Sequence, residues 1–329
     1  MQAIVLSAFG AALTQQHIAT PIASAGQVLV RVHASGVNPL DLKIAAGQAG
    51  HARAVLPAVL GIDMAGVVDR VGAGVAGFAP GDRVYGMTGG FGGVAGSLSD
   101  YVAVDARLLA RLPQQLSMRE AAALPLIFIT AWEGLVDRAR ISAGKTVLVQ
   151  GGAGGVGHMA LQLAVAHGAQ VYATGSAEQR AVIEGMGAVF IDRSADVDDY
   201  VQQHTGGAGF DIVYDTVGGA VLDASFRAAR RYHGHVVSCL GWGTHALAPL
   251  SFRAATYSGV FTLLPLLSGE GRAHHGDILR EASTLAAAGK LKVMLDPTHY
   301  TLCADSVSAA YRALSERTAS GKVVVELTQ

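Results

Sequence analysis

Gly152, Gly154 and Gly157 stand in the spacing G-x-G-x-x-G within Val147-Leu148-Val149-Gln150-Gly151-Gly152-Ala153-Gly154-Gly155-Val156-Gly157-His158-Met159-Ala160. Each glycine has its own mechanical reason: a tight turn, the close approach of backbone to a pyrophosphate, and tight packing of the next helix on the strand. Gly155 and Val156 open that helix, whose free N–H groups and positive dipole end attract phosphate. The apolar run Thr146–Val149 precedes the turn, and Met159, Leu161, Leu163, Ala164 and Val165 follow it in a helical pattern. Gln170–Ala173 then reads as a second strand. The whole is one βαβ unit of the length that binds a dinucleotide. A glycine turn that binds nothing is the competing reading, and the flanking strand and helix weigh against it.

The end of the second strand says which dinucleotide. A site for NAD places Asp or Glu there, on the two ribose hydroxyls, and that acid repels a 2′-phosphate. Here the chain reads Gly175-Ser176, with Arg180 one turn on. A hydroxyl donor beside a guanidinium makes a phosphate pocket, so these residues point to NADP(H). Arg193 is a second, weaker candidate for the same phosphate. The plainer alternative has Ser176 capping a helix and Arg180 facing solvent.

Those groups must be carried by elements that composition allows. The chain has 329 residues, 51% hydrophobic and 15% charged, with a formal net charge of −1. It is long enough for two domains with real cores. The near-neutral charge gives no electrostatic case for nucleic acid or an anionic membrane. Cys239 and Cys303 cannot build a disulfide framework, and Met1–Leu6 enters a strand at once. A cytoplasmic protein without a membrane span is therefore expected.

Residues 1 to about 120 read mainly as short strands with Gly and Pro punctuation, among them Gln27–His33, 67–72, a turn then strand over 80–86, and Leu98–Val104. That texture predicts a compact barrel-like domain. Ser117 and Glu120 form a capping-box pattern that opens a helix through Ala121–Leu124. Strands then alternate with helices: Thr146–Gln150, Gln170–Ala173, Ala188–Ile191, Asp211–Asp215 and His235–Leu240. This is the pattern of a doubly wound parallel sheet. Later, Ile278–Ala288 and the region of Tyr311–Leu314 read as helices, and Lys322–Leu327 as a last strand. The fold class expected is α/β, with a β-barrel domain from residues 1–120 and 266–329 and a Rossmann domain from 121–265.

Several segments together resemble the medium-chain dehydrogenase/reductase superfamily, in its zinc-independent quinone oxidoreductase (ζ-crystallin-like) branch. They are 36–43 (GVNPLDLK), 57–68 (PAVLGIDMAGVV), 71–75 (VGAGV), 78–86 (FAPGDRVYG), 122–125 (AALP), 130–132 (TAW), the glycine turn and 321–325 (GKVVV). The similarity runs nearly end to end. It implies a GroES-like barrel domain beside a Rossmann domain, with the active site in the cleft between them. Zinc members of the superfamily carry a Cys in the first motif and Gly-His-Glu in the second. Asn38 and Gly61-Ile62-Asp63 stand there instead, so no metal is expected, and the histidines lack matching ligand spacing. Without a Lewis acid, alcohol dehydrogenation loses its main help. Hydride delivery to a conjugated carbon needs less.

The resemblance therefore implies NADPH-dependent reduction of a small quinone or α,β-unsaturated carbonyl. Asn38 falls on an active-site position and could donate to the substrate carbonyl or hold the nicotinamide ribose; a turn residue before Pro39 is the bland reading. Lys43, where several relatives have Tyr, could stabilise an enolate or simply face solvent. Thr130 matches a position beside the nicotinamide carboxamide. Val217 begins a segment expected to line the ribose. Leu240 and Gly241 lead a loop expected along the nicotinamide, and Trp242 could wall the substrate pocket. Arg317 and Lys322 could each reach a phosphate. The glycine-rich loop 88–96 reads as flexible and as shaping substrate entry. Asp41 reads as structural. The family also implies a homodimer, with the apolar stretch 259–267 read as the edge strand that relatives pair across a two-fold axis; a buried core strand is the equal alternative. The alternatives are an enoyl-thioester reductase, and an NADPH-binding redox sensor with little turnover.

Overall fold

The computed structural model describes residues 1–327 and divides them into two compact units. One comprises residues 1–126 and the chain from Leu263 onward; the other is Ile127–Thr262.

The second unit is built on six parallel strands. Across the sheet they run Val189–Asp192, Gln170–Gly175, Thr146–Gln150, Ile212–Asp215, His235–Ser238, Thr256–Gly259. In chain order that is 3-2-1-4-5-6, the Rossmann order, so the chain reverses direction across the sheet beside Thr146–Gln150. Val147, Leu148 and Val149 are fully buried, and so are Ile212–Asp215. Helices cover both faces of such a sheet, which is why its central strands are continuous apolar runs without alternation. One core gathers Leu148, Val213 and Val236 from the strands with Leu222 and Phe226 from the helix Ala220–Ala228.

Among the described residues the strands of the first unit pair antiparallel, apart from Tyr300–Thr301 against Val324–Glu326, and a single parallel bridge joins Leu295 to Lys322. Gln27–Gly36 pairs with Asp63–Val71, Tyr101–Asp105 and Val324–Glu326, and Asp63–Val71 pairs on to Arg83–Met87. A three-stranded sheet joins Thr14–His17, Gln2–Leu6 and Ala58–Val59. The capping box forms: Ser117 N–H donates to Glu120 Oε2 at 2.8 Å, and Glu120 N–H donates to Ser117 Oγ at 3.2 Å. The helix it opens, Met118–Ala123, packs so closely on the sheet that a Cβ at Gly36 would stand 2.1 Å from the Ala122 carbonyl oxygen. This unit therefore runs past the change of sequence texture to Leu126.

Three expectations are corrected. Residues 259–267 do not form a strand: the edge strand is Thr256–Gly259, and Leu264–Ser268 is a short helix opened by Pro265. The strand expected at Leu98–Val104 is Tyr101–Asp105, because Leu98 bonds instead to Leu60 and Ile4. The last strand is Val324–Glu326, since Lys322 bonds to Met294 and Asp296.

Candidate active site

The glycine turn lies where Thr146–Gln150 ends. Gly151 makes the turn, with φ +75, and donates to Thr174 Oγ1 at 3.0 Å. A Cβ at Gly152 would lie 2.6 Å from Ala173 Cβ, and one at Gly157 only 2.1 Å from the Gly151 carbonyl oxygen. Those two glycines are packing requirements. Gly154 is less crowded: a Cβ there would meet one atom, the Gly151 carbonyl oxygen, at a still tight 3.2 Å. Gly154 is also the N-cap of the helix Gly155–Ala166, and no side chain caps it. The first N–H groups of a helix have no partner within it. A helix start with no side-chain cap, behind a turn with no side chains of its own at Gly151, Gly152 and Gly154, fits a pyrophosphate. The sequence pattern missed Gly151, whose positive φ carries the turn.

At the end of the neighbouring strand, a Cβ at Gly175 would meet Ile183 Cδ1 at 2.6 Å. Ser176 N–H donates to Gln179 Oε1 at 3.0 Å. The Arg180 side chain is 57% exposed, pairs with Glu184 at 3.3 Å and lies 4.1 Å over the Phe190 ring. Arg193 N–H donates to the Gly175 carbonyl at 2.9 Å, which brings Arg193 to the same corner. Acids are interleaved. A hydrogen bond from Ser176 holds the Glu178 carboxyl below its usual range. Asp192, opposite Gly175 in register, is held low first by Ser194, then by Arg193 and Arg180. Ser176, Arg180 and Arg193 thus share one corner of the sheet.

On the other side of the turn, Asp215 organises the loops. It is fully buried and accepts from Val217 N–H at 3.0 Å, Gly218 N–H at 2.9 Å and Ser238 Oγ at 2.6 Å. Ser238 Oγ in turn accepts from Leu240 N–H at 3.0 Å. One carboxylate therefore ties the Val217 loop to the Leu240–Gly241 loop. A Cβ at Gly241 would stand 2.2 Å from the Tyr257 hydroxyl. Trp242 is 51% exposed and meets Phe261 edge to face at 6.2 Å. Thr130 is buried; its hydroxyl lies 3.0 Å from that of Thr262, and its carbonyl accepts from Tyr214 OH at 2.6 Å. Asp215 was not singled out from sequence. Its signal was a buried acid ending an apolar strand just before a glycine pair.

The β-rich unit holds a buried charged cluster. Asn38 is 1% exposed and stands before the helix Pro39–Ala45. Its Nδ2 donates to Asp63 Oδ2 at 2.9 Å, and its Oδ1 accepts from Lys322 Nζ at 2.5 Å. Lys322 Nζ also donates to the Val37 carbonyl at 3.1 Å. Asp63 Oδ1 accepts from Leu126 N–H at 2.9 Å, and Asp41 Oδ2 from Asn38 N–H at 2.8 Å. Burial pushes the Asp41 carboxyl up to about 7 and that of Asp63 up to about 6. It pulls the Lys322 ammonium down, against the attraction of both acids. Lys322, read as a phosphate ligand, is thus committed to Asn38 and Val37, inside the unit that lacks the glycine turn. Lys43 is exposed on the same short helix, and Arg317 is exposed at φ +57.

This cluster does not suit a metal. Ile62 is fully buried and offers no donor, and the Lys322 ammonium already supplies the positive charge beside Asn38. No group of three His, Cys, Asp or Glu among the described residues could hold a metal ion.

A parallel sheet in Rossmann order with a phosphate-ready turn, joined to an antiparallel β-rich unit, defines a nucleotide-dependent dehydrogenase/reductase fold. Residues 24–114 match the family model for the alcohol dehydrogenase GroES-like domain, and residues 155–265 match the model described as zinc-binding dehydrogenase. The solved structure of an alcohol dehydrogenase superfamily protein from Novosphingobium aromaticivorans superposes with a TM-score of 0.97, at 52% identity over 100% of both chains. The chain belongs to the medium-chain dehydrogenase/reductase family. It is 35% identical to the 2-methylene-furan-3-one reductase of Solanum lycopersicum, over 94% of this chain and 74% of that one. It is 34% identical to the chloroplastic NADPH-dependent alkenal/one oxidoreductase of Arabidopsis thaliana, over 94% and 75%. It is also 36% identical to the phthioceranic/hydroxyphthioceranic acid synthase of Mycobacterium bovis, over all of this chain. The chain spans only 15% of that synthase.

Proposed function

We propose that this chain uses NADPH, without zinc, to reduce the conjugated double bond of a small enone, alkenal or quinone. The observation that carries the reading is the pairing of a phosphate-ready glycine turn with a corner that offers Ser176, Arg180 and Arg193 and has no acid at position 176. The names of the tomato and Arabidopsis relatives point the same way. A bound nicotinamide nucleotide would supply the hydride. Gly154, Gly155, Val156 and Gly157 would hold its pyrophosphate, and Ser176, Arg180 and Arg193 its 2′-phosphate. The loops that Asp215 ties together, through Val217, Leu240 and Gly241, would fix the ribose and the ring, with Thr130 at the carboxamide. Lys322 and Asp63 clamp the Asn38 amide, which leaves one Nδ2 hydrogen as the donor we assign to the substrate carbonyl. Lys43 is assigned to the field over the enolate, and Trp242 to the pocket wall.

The test is NADPH consumption at roughly 340 nm, the nicotinamide band, with 1,4-benzoquinone, an enone and an enoyl thioester in turn. Turnover of the first two supports the reading. Turnover of the thioester alone favours an enoyl-thioester reductase, a reading supported by the likeness to the solved CurK enoyl reductase, at a TM-score of 0.86 and 26% identity over 99% of both chains. Tight NADPH binding with no turnover of any favours a redox sensor. We also propose a cytoplasmic homodimer, which the two free cysteines and the exposed edge strand Thr256–Gly259 support.

A further inference from the structure

The glycine-rich loop 88–96 is not a slack loop. Phe91 is 2% exposed, Gly90 N–H donates to the Val94 carbonyl, Gly92 N–H to Ala52 and Gly96 N–H to Val59, all at 2.9–3.0 Å. A Cβ at Gly89 would meet the Ala95 carbonyl oxygen at 2.1 Å, and one at Gly96 the Leu60 oxygen at 2.3 Å. The loop is locked down by backbone packing, and folds over residues 54–59 to leave a preformed pocket of about 190 Å³. Val55, Pro57, Val59, Phe91 and Val94 supply its large side chains, and no charged residue lines it. Val55 and Val94 lie at the solvent side, 64% and 36% exposed. The inner wall reaches the buried cluster through one residue. A Cβ at Gly90 would stand 2.9 Å from the Gly61 carbonyl oxygen, and the Gly61 backbone serves the Asp41 carboxylate beside Asn38.

We propose that this pocket is a subsite for the aliphatic substituent of the conjugated carbonyl, and that Val55 and Val94 set the chain length accepted. The inference rests on the proposed reduction of enones and alkenals. Every lining side chain is apolar and none is charged, which favours a hydrocarbon substituent over a charged one, and the pocket volume is about 190 Å³.

The experiment measures kcat/KM for the straight-chain 2-alkenals from propenal to decenal. In the unaltered protein it should rise by roughly threefold per added methylene and level off once the pocket is full. Val94→Asp and, independently, Val55→Asp should each cut the ratio of kcat/KM for 2-octenal over propenal by at least about tenfold. Val55 is exposed enough that its replacement leaves the core alone. A flat series in the unaltered protein, or an unchanged ratio in both variants, overturns the subsite. If neither propenal, an enone nor 1,4-benzoquinone is reduced, the reductase reading fails. The subsite is then judged by NMR titration with octan-2-one and butan-2-one. Tighter binding of the longer ketone, lost in both variants, supports it; equal binding overturns it.

Discussion

Replacing Lys322 by Met should expose the electrostatics of the buried cluster. Asp41 and Asp63 are 1% and 0% exposed, and Lys322 is the cation among them. Lys322 bonds to Asn38 and Val37 and acts on the two acids through space, so its loss should cost up to the about 3–5 kcal/mol of breaking a buried ion pair, because the acids stay behind without their counter-charge. That range should appear as the loss of unfolding free energy at pH 8. The pH dependence has a definite sign. Both carboxyls titrate higher in the folded chain, at about 7 and about 6, than their ordinary value of 3.8. The folded state therefore keeps protons that the unfolded state has released, and stability falls as pH rises through that window. The ammonium opposes this rise. Without it the carboxyls move higher still, so the deficit of Lys322→Met should be larger at pH 8 than at pH 5, where protonation relieves the acids. Urea unfolding of both proteins at the two pH values, read by linear extrapolation, is the assay. A deficit under about 1 kcal/mol at pH 8, or one equal at both pH values, would refute the argument.

Three further outcomes are expected. Arg180→Ala should raise the KM for NADPH by about tenfold and leave that for NADH nearly unchanged; equal effects in steady-state kinetics would remove Arg180 from the phosphate corner. Gly157→Ala forces a methyl to within 2.1 Å of the Gly151 carbonyl oxygen. It should cost about 1–3 kcal/mol in denaturant unfolding and weaken nucleotide binding by calorimetry. In sedimentation equilibrium the protein should show twice its 33.7 kDa mass, and Ser258→Pro, on the exposed edge strand, should lower that to one; a monomer in the unaltered protein would end the dimer reading.

What local sequence determined is what a few neighbouring residues decide among themselves. Thr146–Gln150 reads as the same strand from sequence and in three dimensions, because a fully buried parallel strand is a plain apolar run closed by glycine. The capping box at Ser117 and Glu120 needs only three residues of spacing. Edge strands such as Thr14–His17 and Thr256–Gly259 were illegible, since exposed, polar strands owe their conformation to the neighbour they pair with.

Tertiary structure alone decided the partners. Lys322 and Asn38 are 284 residues apart, and no pattern in the chain says that their side chains meet. The pairing arises because Val324–Glu326 lies antiparallel to Gln27–Gly36 and brings the two strand ends together. Asp215 looked like an ordinary acid at a strand end until the sheet set Ser238 beside it. The loop 88–96 read as flexible from its glycines, yet at Gly89, Gly90 and Gly96 other backbone passes too close for a Cβ, and Gly92 and Gly93 have positive φ. Composition and spacing therefore specify which elements form and which chemistry is within reach. The low-dielectric interior, assembled from distant segments, decides which charges are committed to each other and which remain for a ligand.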